Sequence, residues 1–383
     1  MASGTLLLLL LSAFVFDISC AQTSLPLPLP NGAHNTTLST TALVDHSRRD
    51  PFASTSEPRA VMISFFNPAK CHANQLSDYT TPAAAAFEDE TLSSAGFPNG
   101  TFERFKLQVC DENLPQDTYD DSPKPNFPVV VFSPGLLTSR TLYSGLAQWV
   151  ASHGYYVVMI DHPYDASVVE FPDGTLVYSA INDTSMIDLA IETRRQDTKF
   201  VLDELEKASV VSNLIPGVKE GLDVQQVAMF GHSVGGATAA NAMLIDSRLK
   251  GGLDLDGSVW GPAEHQDQTR PFLIFGTGIH NKTNDSTWPN FWPHLKGWRK
   301  SLLYQNAAHM SFSDLPILLE LAGFDPEDVP PGIDLAVGTV DGVRNMELLT
   351  EYVTTFLDFV LKGEDEGILN GPTPKYPEIL YQF

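Results

Sequence analysis

Cationic side chains are scarce in this chain: 23 lysines and arginines stand against 47 aspartates and glutamates in 383 residues, for a formal net charge of −24. Such a balance excludes the basic face that nucleic-acid phosphates require, and gives no electrostatic pull toward anionic lipid. Cysteine is scarce too, at three, and no pair of them has the spacing of a zinc site. H-E-x-x-H does not occur and the ten histidines are scattered, so neither a metal nor a cofactor is expected. The absence of an internal repeat excludes a solenoid or propeller. The apolar stretch nearest the start, Leu6 to Phe16, is too short to cross a bilayer.

That short stretch, followed by the small residues Ser19 and Ala21, reads instead as a signal peptide over 1–21, without Lys or Arg in its first five residues. Secretion is therefore expected. With Cys20 removed, Cys71 and Cys110 form an even pair in an oxidising compartment, and a disulfide between them is expected. Five N-x-S/T sequons, at Asn35, Asn99, Asn182, Asn281 and Asn284, suit a secreted glycoprotein. Residues 22–50, with LPLPLP and a long polar stretch, read as an extended or disordered leader. Residues 51–383 read as a single domain.

Within that domain, short apolar runs alternate with helical patterns. Strands are expected at 59–66, 128–132, 155–160, 227–230, 252–255, 271–275 and 301–304. Helices are expected at 142–152 (amphipathic), 186–207 and 346–361, and residues 72–100 read as irregular, with one short helix near Ala83–Phe87. Continuous apolar strands separated by helices predict an α/β fold: a mostly parallel sheet with helices on both faces.

The chain is organised around VQQVAMFGHSVGGATAANAML, residues 224–244. An apolar strand runs into Gly231-His232-Ser233-Val234-Gly235 and out into a helix rich in small residues. G-x-S-x-G in that setting is a nucleophile elbow, which lifts the Ser233 hydroxyl into the open at a helix N-terminus. A serine hydroxyl needs a base to take its proton and a carboxylate to orient that base. In such folds the acid and then the histidine follow on loops after later strands. Asp256 ends the strand 252–255; Asp254 is its rival, but lies inside the strand. His309 sits in the loop after 301–304, while His232, His265, His280 and His294 are weaker candidates for the base. Two backbone amides would complete an oxyanion hole, Val234 after the nucleophile and Leu136 in the loop Ser133-Pro134-Gly135-Leu136-Leu137.

FSPGLLTSRTLYSGLAQWVASHGYYVVMIDH (132–162), GHSVGGAT (231–238), LDLDGSVWGP (253–262) and AAHMSFSD (307–314) together resemble the plasma and intracellular type II platelet-activating factor acetylhydrolase family of α/β-hydrolases. The resemblance spans roughly residues 59–314. It implies Ser233, Asp256 and His309 as triad and Leu136 and Val234 as oxyanion donors. It also implies cofactor-free removal of short or oxidised acyl chains from the middle position of phospholipids. Pro134 stands where the animal enzymes have His, and Gly257-Ser258 where they have Ala-Trp; both changes touch the pocket wall and leave the machinery intact.

Two rival readings remain. One keeps the machinery and acts on other esters, as a general carboxylesterase or polyester hydrolase. The other, an idle α/β-hydrolase used as a binding module, conflicts with the presence of every triad residue and elbow glycine. The aromatic stretch WPNFWPHLKGW (288–298) allows either core packing or a weak interfacial contact with lipid.

Overall fold

Continuous apolar runs such as Val129-Val130-Val131-Phe132 can bury both faces of a strand, and they build the central layer here. The computed structural model describes residues 23–93, 96–111, 126–325 and 336–382. Nine strands form one sheet: β1 (Asn35–Arg49), β2 (Pro58–Ala69), β3 (Val129–Ser133), β4 (Tyr156–Asp161), β5 (Val227–His232), β6 (Leu249–Leu255), β7 (Phe272–Thr277), β8 (Arg299–Tyr304) and β9 (Ile379–Tyr381). Their spatial order is β9-β8-β7-β6-β5-β3-β4-β2-β1. Strands β3 to β8 run parallel, and the outer strands β1, β2 and β9 pair antiparallel. This is the α/β-hydrolase arrangement expected from the sequence pattern.

Helices cover both faces. On one, α1 (Ser144–Ser152) and α4 (Gly342–Leu357) pack Leu146, Val150, Leu349 and Val353 against Val130, Phe132, Phe230 and Leu255. On the other, α2 (Ile187–Leu205) and α3 (Val234–Ile245) bring Val201, Leu202, Ala239 and Met243 to Val129, Val131, Met229 and Ile274. Alternate residues of one strand thus feed two separate cores, which explains why these runs show no polar positions. From β3 the chain passes to β4 on one side, whereas β5 to β8 build out on the other. Loops after β3 and β5 therefore diverge, leaving a crevice at the carboxyl ends of the two strands.

Several expectations require correction. Of the leader 22–50, the described residues 23–50 are extended but not disordered. Its greater part is β1, paired with β2 from Asn35↔Ala69 to Asp45↔Arg59, and Leu25–Pro26 pairs with Phe105–Lys106 in a small second sheet. Polar β-branched residues (Thr36, Thr37, Thr40, Thr41) gave no apolar pattern, yet an edge strand needs only backbone partners and one buried face. Residues 72–100 hold the strand Asn74–Asp78 and a helix, Pro82–Ser93, longer than expected. Helix α1 is buried on every side rather than amphipathic, because α4 covers its outer face. In the aromatic stretch Trp288 and Phe291 are fully buried and Trp298 packs on the core, so its large rings belong to the interior.

Cys71 and Cys110 are joined in a disulfide, closing a span of 39 residues. The signal peptide assigned to 1–21, and Cys20 with it, lie outside the described residues. Among the described residues no helix is long and apolar enough to cross a membrane.

Candidate active site

The elbow forms because β5 is buried throughout and α3 begins one residue later. That residue, Ser233, takes φ 57° and ψ −126°. Few non-glycine residues adopt such angles, and strain of this kind persists only where the surroundings impose it. They do so here through contact. A Cβ on Gly231 would lie 2.3 Å from the Gly235 carbonyl carbon, and one on Gly235 would lie 2.0 Å from the Ser133 carbonyl oxygen. Any side chain at either position would break the turn.

Asp256 follows β6 and also has positive φ, 58°. Its Oδ2 meets His309 Nδ1 at 2.7 Å, while its Oδ1 accepts the Thr277 amide at 2.9 Å. Ser233, Asp256 and His309 line one cavity of about 270 Å³, together with Ser258, Trp260, Thr277, Ile279 and His280. The His309 side chain is 46 % exposed, so solvent reaches it directly. Burial opposes charge on Asp256, but hydrogen bonds from His280 and His309 outweigh it and hold the carboxyl below its ordinary range. Asp254 behaves in the opposite way. It is fully buried, its Oδ1 accepts the Gly257 amide at 2.9 Å, and burial drives its pKa well above the usual value. Burial thus favours the neutral form of Asp254, and it is Asp256 that reaches His309.

The other histidines sort by partner. His265 is exposed and His294 pairs with Asp267 at the surface, at 2.7 Å. His232 points away from the cavity, as expected of its place in the elbow. Its Nε2 donates to the His309 carbonyl at 2.9 Å and its Nδ1 accepts from the Tyr143 hydroxyl at 2.8 Å, a tautomer assigned from these partners. Burial and the neighbouring His309 keep it neutral, and it braces the backbone of the loop that carries His309.

His280, a weaker candidate for the base in the sequence, is the surprise. Its Nδ1 faces Asp256 Oδ1 at 3.1 Å and its Nε2 faces Asp285 Oδ2 at 2.8 Å. A ring with carboxylates on both nitrogens donates from both, which makes it an imidazolium. Burial lowers its pKa, but the two carboxylates win and raise it to about 10. Asp285 in turn accepts from Ser258 and from the Thr287 and Trp288 amides. No spacing signals this arrangement, because it is the turns after β7 that set His280 against Asp256 and Asp285 against His280.

A raised folded-state pKa has a definite sign: its stability contribution is complete below the unfolded value of 6.5 and is lost as pH rises through about 10. Wild-type protein is therefore expected to lose thermal stability over that window, and His280→Gln to lose less. Tm measured against pH for both proteins checks this; parallel curves would contradict the imidazolium assignment.

The expected oxyanion residues lie side by side. Val234 opens α3, where an amide has no carbonyl four residues earlier to bond, and the half-buried Leu136 packs against Val234, Ile187, Ile191 and Ala237. Among the described residues no group of three or more His, Cys, Asp or Glu side chains could hold a metal ion.

An elbow serine, a carboxylate–imidazole pair and a crevice at the carboxyl ends of parallel strands describe hydrolase machinery in general. The family is decided by comparison. The model of the family described as "Platelet-activating factor acetylhydrolase, isoform II" matches residues 103–200 and 209–323. The chain belongs to that family, and it is an ester hydrolase of the α/β-hydrolase fold. A protein of Arthroderma benhamiae named "Probable 1-alkyl-2-acetylglycerophosphocholine esterase" is 32 % identical over 95 % of both chains. The platelet-activating factor acetylhydrolase of Cavia porcellus is 25 % identical over 49 % of this chain and 48 % of its own. Among solved structures, a ferulic acid esterase from Streptomyces cinnamoneus superposes with a TM-score of 0.77 at 27 % identity, covering 94 % of this chain and 99 % of that one.

Proposed function

We propose that Ser233, His309 and Asp256 are a catalytic triad, and that the protein is a secreted esterase for short acyl groups. The substrates it fits best are phospholipids with an acetyl or a short or oxidised acyl chain at the middle position. The observation that carries this reading is that the hydrogen-bonded Asp256–His309 pair and Ser233 line one small, open cavity. The relatives' names supply the phospholipid class.

In this scheme Asp256 holds the Nδ1 proton of His309, leaving Nε2 to take the proton of Ser233. The Ser233 oxygen forms a bond to the ester carbonyl carbon, and the carbonyl electrons move to an oxyanion held by the Leu136 and Val234 amides. Collapse breaks the bond to the leaving alcohol, which His309 protonates; a water then repeats the sequence and frees the acid. Trp260 and Ile279, both exposed at the cavity, offer the apolar contact for an acyl chain or a lipid surface that the aromatic stretch does not. The disulfide and the exposed Asn35, Asn99, Asn182 and Asn284 suit a secreted glycoprotein; Asn281 is half-buried beside them.

At about 270 Å³ the cavity is near the small end for ligand sites. Esters differing only in acyl length, assayed below any micelle concentration, are expected to give kcat/KM highest for acetyl to butyryl. Each further methylene outside the cavity should gain nothing, or lose about 1 kcal/mol through poor fit. A steady climb toward long chains would point to a true lipase instead. The second reading, a general carboxylesterase, is favoured by the likeness to the ferulic acid esterase, and hydroxycinnamate esters in the same series test it.

A further inference from the structure

We propose that Arg194 positions and polarises the oxyanion-binding amide of Leu136, acting through the peptide that joins Gly135 to Leu136. The inference rests on the triad reading above and assigns a role to a residue outside the cavity. Arg194 lies on α2 and is almost fully buried. Its Nη1 donates to the Pro134 carbonyl at 2.6 Å and to Ser133 Oγ at 3.3 Å, and its Nη2 to the Gly135 carbonyl at 3.1 Å. Its Nε and Nη2 form a two-pronged pair with Asp165, at 2.6 Å through Nε. The backbone of Asp165 then accepts the Leu137 amide at 3.2 Å, and Leu137 itself sits at φ 59°. The oxyanion loop is thus gripped on both sides of one peptide.

That grip, to which the Thr138 hydroxyl adds a bond to the Gly135 carbonyl at 2.9 Å, sets where Leu136 N–H points. In a planar trans peptide the carbonyl and the amide hydrogen point in opposite directions. With the Gly135 oxygen turned toward the guanidinium, the Leu136 hydrogen must face the other way. A cation hydrogen-bonded to a carbonyl also draws electron density out of the peptide, and a donor at the far end of such a chain is strengthened. The guanidinium therefore acts on the developing oxyanion through one peptide unit, without touching it. Asp165 balances the buried charge. Two other buried pairs, Arg59–Asp197 and Arg140–Asp161, show what a merely structural pair looks like: they donate to Pro163 O and to Ser64 Oγ, away from this loop.

Lysine at this position keeps the charge near Asp165 but cannot fork to three acceptors. Loss of one oxyanion donor costs about 100- to 1,000-fold in kcat, so a misaimed one in Arg194→Lys should cost about 10- to 100-fold. KM should stay within about threefold. Affinity for a trifluoromethyl ketone, whose hemiketal adduct with serine mimics the tetrahedral oxyanion, should fall in step. The pH profile should not move, because the Asp256–His309 pair is untouched. Sites are counted by titrating the protein to completion with a fluorophosphonate, and kcat is expressed per site. A structural role alone would lower the number of sites and the Tm while leaving kcat per site and ketone affinity unchanged, and that result would overturn the proposal. If Arg194→Lys does not fold, R194M/D165L removes both buried charges together, a replacement that cores often tolerate, and the same loss per site is expected. Failure of Ser233 to take the fluorophosphonate at all would instead sink the triad reading on which this one stands.

Discussion

Ser233→Ala is expected to lose about six orders of magnitude in kcat and all labelling by fluorophosphonates, while binding short-acyl esters nearly as before. The size follows from the way a triad works as a unit: removing the nucleophile leaves only the oxyanion amides and substrate binding, a residue of about 10³- to 10⁴-fold over water. Folding should not suffer. Alanine keeps the Cβ that the elbow already accommodates at φ 57°, and the Ser233 amide retains its bond to the Leu255 carbonyl at 2.8 Å. Thermal unfolding run beside the assay separates the two effects. Turnover near the wild-type rate would end the serine-hydrolase mechanism for this chain.

Asp256→Asn is expected to lose about 10⁴-fold in kcat, against no more than a few-fold for Asp254→Asn. The two aspartates stand two residues apart, Asp254 inside β6 and Asp256 just past its end, and their environments differ in kind. Asp256 receives His309 on one oxygen and His280 with the Thr277 amide on the other, so it works as an anion. An amide there would present an N–H to an imidazole N–H and leave His309 in the wrong tautomer. Asp254 is buried and driven toward its neutral form, for which asparagine is nearly the same shape. Steady-state kinetics on both variants gives the ranking, and the reverse order would move the orienting acid to Asp254.

These expectations were legible in sequence to different degrees. The elbow could be read because its signal is local: a buried strand, two obligatory glycines and a helix, all within residues 227–245. Chain order made Asp256 and His309 readable, since loops after successive parallel strands must converge at the carboxyl edge of the sheet. Asp254 and Asp256 could also be told apart in sequence, because an acid inside a buried strand faces a helix rather than the crevice.

What stayed hidden depends on contacts between distant segments. The leader looked disordered because its threonines carry no apolar pattern, but β2 offered it a row of unpaired backbone groups. His280 gave no warning, since only the turns after β7 bring it from a weak candidate for the base to an imidazolium between two carboxylates. Arg194 is an ordinary arginine in a helical pattern until α2 is laid against the loop after β3. Sequence by itself determined the class of chemistry, ester hydrolysis, and the order in which the proposed nucleophile, acid and base and the small residues at the turn appear. Only the tertiary structure decided which side chains fix the charge and direction of those parts, because desolvation and hydrogen-bond geometry depend on neighbours that lie far apart along the chain.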